Sequence, residues 1–223
     1  MKTTREQLLD IYRLLFDFFG PQHWWPGETP FEIAIGAVLT QNTSWTNVEK
    51  AIANIKAGEC LDAFKLHDLD MAKLETLIRP AGYFRVKAKR LRNFTTWLCE
   101  EYGGDMANLE GIGTSRLREG LLGISGVGPE TADSILLYAL DRPIFVVDTY
   151  TARVMVRHGL IAPDDLDYDR LQDLFMASLE PDTTLFNEFH ALLVMAGKDY
   201  CKPRPKCQDC PLTPLPHAVD FPC

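Results

Sequence analysis

Lysine is missing from the long middle of this chain: none occurs between Lys89 and Lys198. Any chemistry that needs an amine nucleophile must draw it from outside that span. Long apolar runs are missing too. No uninterrupted stretch approaches the roughly 20 residues a membrane-spanning helix needs. Asp10 and Asp17 break up the N-terminal segment, which reads as an amphipathic helix rather than a secretion signal. A cytoplasmic location with no membrane partner is expected. Alternating, strand-like stretches are nearly absent, and residues 144–147 are too few to build a sheet. Basic charge is in the minority, 23 Lys and Arg against 31 Asp and Glu. The net charge of −8 argues against indiscriminate nucleic-acid binding. A local contact remains open, because positive charge gathers at residues 85–92 and 198–206.

With 223 residues the chain can form one large domain or two modest lobes with a full core. Of its six cysteines, Cys60 and Cys99 stand alone within helical patterns and are expected to be small buried hydrophobes. Cys201, Cys207, Cys210 and Cys223 crowd the end of the chain. In a cytosolic chain, clustered thiols point to metal before disulfide.

Helical spacing of apolar residues runs along most of the sequence. Leu8, Ile11, Leu15 and Phe19 mark a first helix, closed by Gly20-Pro21. After the loop His23-Trp24-Trp25-Pro26-Gly27, Thr29, Pro30 and Glu32 form a capping-box pattern for a helix to about Leu39. That helix breaks into Thr40-Gln41-Asn42-Thr43-Ser44-Trp45, a polar junction with a tryptophan beside it, as a contact surface would be. Further helices are expected at 46–55, 61–77 and 85–102, in one or two short pieces over 106–122, and then near 150–158, 167–179 and 184–196. The fold class is all-α.

The stretch 121–153 organises the rest. Gly123, Gly126 and Gly128 form a hairpin between two helices, the second opened by Pro129, whose missing amide would have no partner there. Such a turn beside a helix N-terminus suits a phosphate, because its amides are unpaired and the helix dipole favours an anion. About twenty residues on, Asp148 follows the apolar run 144–147 and precedes a new helix. Aspartate is a common helix cap. A fixed carboxylate can equally stabilise positive charge developing on a sugar and orient or deprotonate an attacking water.

Gly126-Val127-Gly128 with Thr131-Ala132, followed by Val146-Val147-Asp148-Thr149, resembles the helix-hairpin-helix DNA glycosylase superfamily of endonuclease III. The likeness covers nearly the whole chain. It implies two helical lobes, a terminal-helix and metal-cluster domain (1–29 plus 141–223) and a helical barrel carrying the hairpin (30–140). The groove between them would take a damaged base, with Asp148 at its mouth as the catalytic carboxylate. It also implies a monomer acting on double-stranded DNA that contains a damaged base.

Three departures from endonuclease III carry weight. Bifunctional members place a lysine two residues after the last hairpin glycine, to form a Schiff base with the sugar; here that residue is Glu130. Lyase chemistry by that route is not expected. Second, Trp24-Trp25-Pro26 and the 40–45 loop resemble the 3-methyladenine glycosylase branch, as does an acid at 130. Trp24, Trp25 and Trp45 become candidates to stack on a cationic base, with cation–π attraction of roughly 0.5–2 kcal/mol per ring, although core packing is the commoner fate of tryptophan. Pro26, Glu130 and Lys198 complete the implied pocket. Third, that branch often lacks an iron–sulfur cluster, whereas here Cys201-x5-Cys207-x2-Cys210-x12-Cys223 is close to the family's cluster loop with altered gaps. Four thiolates suit a [4Fe–4S] cluster or zinc. Gln41 matches the residue that fills the hole left by the flipped base, with Asn42 supporting its loop. Gly126, Gly128 and Thr131 would hold DNA.

The reading is a monofunctional glycosylase for alkylated purines, chiefly 3-methyladenine. Two alternatives stay open: an endonuclease III-like enzyme for oxidised pyrimidines with lyase activity, and a non-catalytic DNA-binding or redox-sensing protein.

Overall fold

Short oxygen-bearing side chains decide where most helices begin. The computed structural model describes residues 2–218, so Cys223 lies outside the described residues. Among those residues there is no strand. Eleven α-helices follow in chain order: α1 (Thr4–Phe19), α2 (Pro30–Thr40), α3 (Trp45–Ala57), α4 (Ala63–Asp68), α5 (Met71–Leu77), α6 (Phe84–Tyr102), α7 (Thr114–Gly123), α8 (Pro129–Ser134), α9 (Thr149–Arg157), α10 (Tyr168–Met176) and α11 (Thr183–Asp199). Thr3, Thr29, Asp62, Asp70, Asp148, Asp167 and Asp182 each accept the amide three residues on, satisfying a donor the helix cannot.

Some expectations change in detail. The capping box at Thr29 is half formed: Thr29 accepts from the Glu32 amide, but the Glu32 carboxylate turns to the Glu28 amide and to Lys56. The helical pattern over 61–77 is two helices, because Leu69 is extended and Asp70 caps anew. Cys60 is buried, as expected, but in the turn after α3; Cys99 is half-buried in α6. The helix after the hairpin widens at Ile135–Ala139 into a π-turn, every residue of which is buried.

The chain divides into two units, Met1–Trp24 with Pro143–Cys223, and Trp25–Arg142. The boundaries expected from the family resemblance are 29/30 and 140/141. In the first unit α11 packs on α1 and α9. Phe145 stacks on Phe175 at 3.9 Å and meets Phe186 and Phe189 edge-on. Residues 144–147 are buried without a partner strand. Their backbone finds side chains of α10 instead: Gln172 Nε2 donates to the Phe145 carbonyl at 2.7 Å, and the Phe145 amide donates to the Met176 sulfur at 3.3 Å.

In the second unit α2 is central. Residues 34–39 are all buried, as befits a helix apolar all round. Its carboxyl end is met by Lys87, which is 1% exposed and donates to the carbonyls of Leu39 (2.9 Å) and Ala81 (2.7 Å). A cation at a helix C-terminus is favoured by the dipole. Even so, burial, with help from Arg90, lowers the Lys87 amine to about 8.

Candidate active site

The hairpin is stapled at its base. Arg118 of α7 grips Asp133 of α8 through two hydrogen bonds, 2.7 and 3.0 Å, and the aspartate is fully buried. At its tip Gly126 has φ +95°, a conformation that favours glycine. The tip carbonyls are drawn to one side by side-chain amides. Asn93 Nδ2 donates to the Ser125 carbonyl at 2.9 Å, and Gln41 Nε2 donates to the Gly126 carbonyl at 3.1 Å. Gly126 and Gly128 are exposed, as a phosphate cradle requires, while Thr131 is buried and its hydroxyl accepts from Gln41 Nε2 at 2.8 Å. Arg90 donates in turn to Gln41 Oε1. The residue expected to enter the DNA therefore lies folded against the hairpin, and Asn42 beside it is exposed with φ +54°.

The aromatics divide between the units. Trp24 belongs to the first, Trp25 and Trp45 to the second. Trp25 meets Trp45 edge-on, with centroids 5.1 Å apart at 85°, and lies over Tyr138 at 5.0 Å and 37°. Tyr138 comes from the π-turn, a backbone feature common at functional sites. Gly36 makes room: a Cβ there would stand 3.3 Å from Trp25 Nε1 and 3.5 Å from Trp45. The Trp45 indole nitrogen is buried without a hydrogen-bond partner among the described residues, so this ring is held by packing alone. Pro26 and Glu130 are exposed, Glu130 in the first turn of α8.

Asp148 caps α9 in the first unit. Its Oδ1 accepts from the Thr151 amide at 2.7 Å and the Thr151 hydroxyl at 2.9 Å. Oδ2 remains, and His190 Nε2 of α11 stands 3.7 Å from it. Burial pushes this carboxyl up, but His190 and the Thr151 bonds outweigh it, leaving it below the usual carboxylate range. Capping occupies Oδ1 and leaves Oδ2 outside the cap. Close backbone packing fixes the position of α9: a Cβ at Gly197 would come within 2.6 Å of Tyr150. Lys198, also on α11, is exposed.

The far end of α9 reaches the cysteine loop. Arg157 Nη1 donates to Cys201 Sγ at 3.1 Å and to the Lys202 carbonyl at 2.7 Å, while Arg153 Nε donates to the Cys201 carbonyl at 2.8 Å. Cys207 and Cys210 flank a single 3-10 turn closed by the Cys210 amide on the Cys207 carbonyl. Cys201, Cys207 and Cys210 line one cavity with Leu212 and Arg157. Burial pushes the Cys201 and Cys210 thiols up, although Arg157 draws Cys201 back. The all-sulfur donor set is of the kind an iron–sulfur cluster or zinc takes. No convergent group of three or more metal-binding side chains occurs among the described residues, which exclude Cys223.

His190, Tyr138 and Gly36 were not singled out by sequence, and Arg90 only as part of the basic run 85–92. The available signals were faint: an imidazole among the apolar positions of α11, and an arginine inside a basic run.

Residues 35–181 match the HhH-GPD superfamily of base excision DNA repair proteins. Among curated relatives, a Methanocaldococcus jannaschii protein described as a candidate DNA repair glycosylase is 47% identical over 93% of this chain and 94% of its own. Endonuclease III of Thermotoga maritima is 29% identical over 81% and 79%. Among solved structures, the 3-methyladenine DNA glycosylase MagIII of H. pylori, bound to 1,N6-ethenoadenine, superposes with a TM-score of 0.74. It shares 30% identity, covering 88% of this chain and 98% of that one. An endonuclease III–DNA complex has the same fold, with a TM-score of 0.79 at 24% identity over 96% and 95%. Motif, fold and similarity agree, and the chain belongs to the HhH-GPD superfamily of base excision DNA repair glycosylases.

Proposed function

We propose that this protein is a monofunctional DNA glycosylase that hydrolyses the N-glycosidic bond of alkylated purines, 3-methyladenine above all, flipped out of duplex DNA. The observation that carries the reading is the aromatic cluster of Trp25, Trp45 and Tyr138, seated against Gly36. A cationic alkylpurine is already a good leaving group. Its pocket needs rings to stack on and to favour the charge, not a strong general acid. Similarity to an enzyme solved with ethenoadenine supports a modified purine as substrate.

Asp148 supplies the charge. Its depressed pKa keeps it ionised, and an anion facing the sugar lowers the barrier as positive charge grows there. Water is then the nucleophile, with Oδ2 placed to orient it. Glu130 stands where a lyase lysine would be. Among the described residues, the lysine with a lowered pKa is Lys87, but it is buried and bonded to two carbonyls. Neither position offers an amine to the sugar, which favours simple hydrolysis. We further assign Cys201, Cys207, Cys210 and Cys223 to a [4Fe–4S] cluster, with zinc as the alternative. The group would tie the end of the chain to α9 through Arg153 and Arg157. Metal analysis with an absorption spectrum decides between the two, since iron–sulfur absorbs in the visible and zinc does not.

Duplex DNA treated with a methylating agent tests the activity. Free 3-methyladenine should appear without strand breaks until alkali is added, and Asp148→Asn should abolish release. A covalent adduct trapped by borohydride would overturn the monofunctional assignment. Release of thymine glycol instead of methylpurine would move the substrate to oxidised pyrimidines.

A further inference from the structure

Both ends of the Gln41 amide are engaged on the hairpin side. Both Nε2 hydrogens are donated, to the Gly126 carbonyl at 3.1 Å and the Thr131 hydroxyl at 2.8 Å, and Oε1 accepts from Arg90. Arg90 is itself part of the hairpin tip, because its stem lies where a Cβ on Gly126 would be. One guanidinium thus stands both on the turn that suits a phosphate and on the side chain expected to fill the DNA. We propose that Arg90 is a shared ligand. In the free protein it holds Gln41 on the hairpin, and on DNA it passes to a backbone phosphate, so that loading the hairpin frees Gln41 for the stack.

The exchange follows from acceptor strength. A phosphate oxygen is charged and binds guanidinium more strongly than an amide oxygen, and the planar fork of arginine suits it. Once Arg90 turns to phosphate, Gln41 keeps only its bonds to neutral acceptors on the hairpin. The void left by a flipped base offers acceptors and a stack in exchange. Each phosphate neutralised by a cation adds to the salt dependence of binding, so the loss of one contact is visible there. The inference rests on action at duplex DNA but not on the alkylpurine reading.

The test uses the whole protein and a duplex carrying a tetrahydrofuran abasic site beside 2-aminopurine, whose fluorescence reports filling of the gap. Arg90→Met keeps the apolar stem over Gly126. It should lower the slope of log affinity against log salt by about 1 and speed the fluorescence phase severalfold. Thr131→Val should speed the same phase and leave the slope alone. In a Gln41→Ala background neither change should alter the fluorescence. Arg90→Lys should restore the slope without restoring the slow phase, which also guards against misfolding of the methionine variant. An unchanged slope in Arg90→Met, or a slower phase in Thr131→Val, overturns the proposal. None of these readouts requires base release, so a duplex that binds normally but yields no methylpurine would count against the substrate reading alone.

Discussion

His190 Nε2 stands 3.7 Å from Asp148 Oδ2, and the two side chains are only 7% and 12% exposed. Burial acts alone to raise the carboxyl, and His190 is the largest influence opposing it. Replacing His190 by Asn should let the Asp148 pKa rise. The sign is that of a depressed carboxylate: its stabilisation is complete above the unfolded pKa and is lost as pH falls through the lower, folded one. In the variant the folded pKa lies closer to the unfolded one, so Asp148 takes up its proton at higher pH and less of that stabilisation is there to lose. Because the wild-type carboxyl titrates below 3.8, base release followed from about pH 3 to 8 should show the variant's acidic limb displaced upward relative to wild type. Superimposable profiles would mean that His190 does not hold the charge on Asp148.

Lys87 makes the opposite kind of prediction. Its folded pKa, lowered to about 8 from 10.5, means that the unfolded chain binds more protons between those values. Stability contributed at this site should rise with pH across that window. Urea melts of wild type and Lys87→Met at pH 7.5 and 9.5 isolate it. The wild type should gain on the variant at the higher pH. A constant difference between the two proteins would show that the lysine is not destabilised by its burial.

Gly36 separates packing from function. Alanine would favour helix α2 by roughly 0.5–1 kcal/mol. Its Cβ would also press on Trp25 Nε1 at 3.3 Å and shift the ring by a few tenths of an ångström. Gly36→Ala should leave thermal stability equal or slightly higher while lowering methylpurine release on the order of tenfold, since small misplacements at a site cost rate. If activity and stability are both untouched, Trp25 does not set the pocket.

The sequence carried the helices because their signals are local. Thr29 and Asp148 cap where short polar side chains must, and apolar spacing names the buried faces, whereas the Asp70 cap that divides 61–77 reads in the sequence as helix interior. Glycines 126 and 128 and Asp148 were legible for the same reason, each belonging to a contiguous motif. His190 was not, because its meaning depends on a partner 42 residues away in the chain (190 − 148 = 42). Tyr138 needed the π-turn, which no spacing rule anticipates, to carry it onto Trp25. The bonds of Gln41 to Arg90, Gly126 and Thr131 depend on tertiary packing and have no local signal.

Asp133 is a fully buried carboxylate held by an arginine. Its carboxylate has no exposure, and Arg118 meets both oxygens while remaining 24% exposed. Removing the arginine leaves a buried negative charge short of its main cation, and such losses cost about 3–5 kcal/mol when both partners are buried. Because Arg118 is partly solvated, Arg118→Met should cost roughly 2–4 kcal/mol, toward the lower end of that scale. Arg118→Met with Asp133→Leu should recover much of the loss, because no buried carboxylate is then left without Arg118 and α7 and α8 can meet through apolar contact. Denaturant melts of the two single variants and the double variant close the cycle. Additive losses would show that the pair is not coupled, and that the hairpin is held by its apolar residues alone.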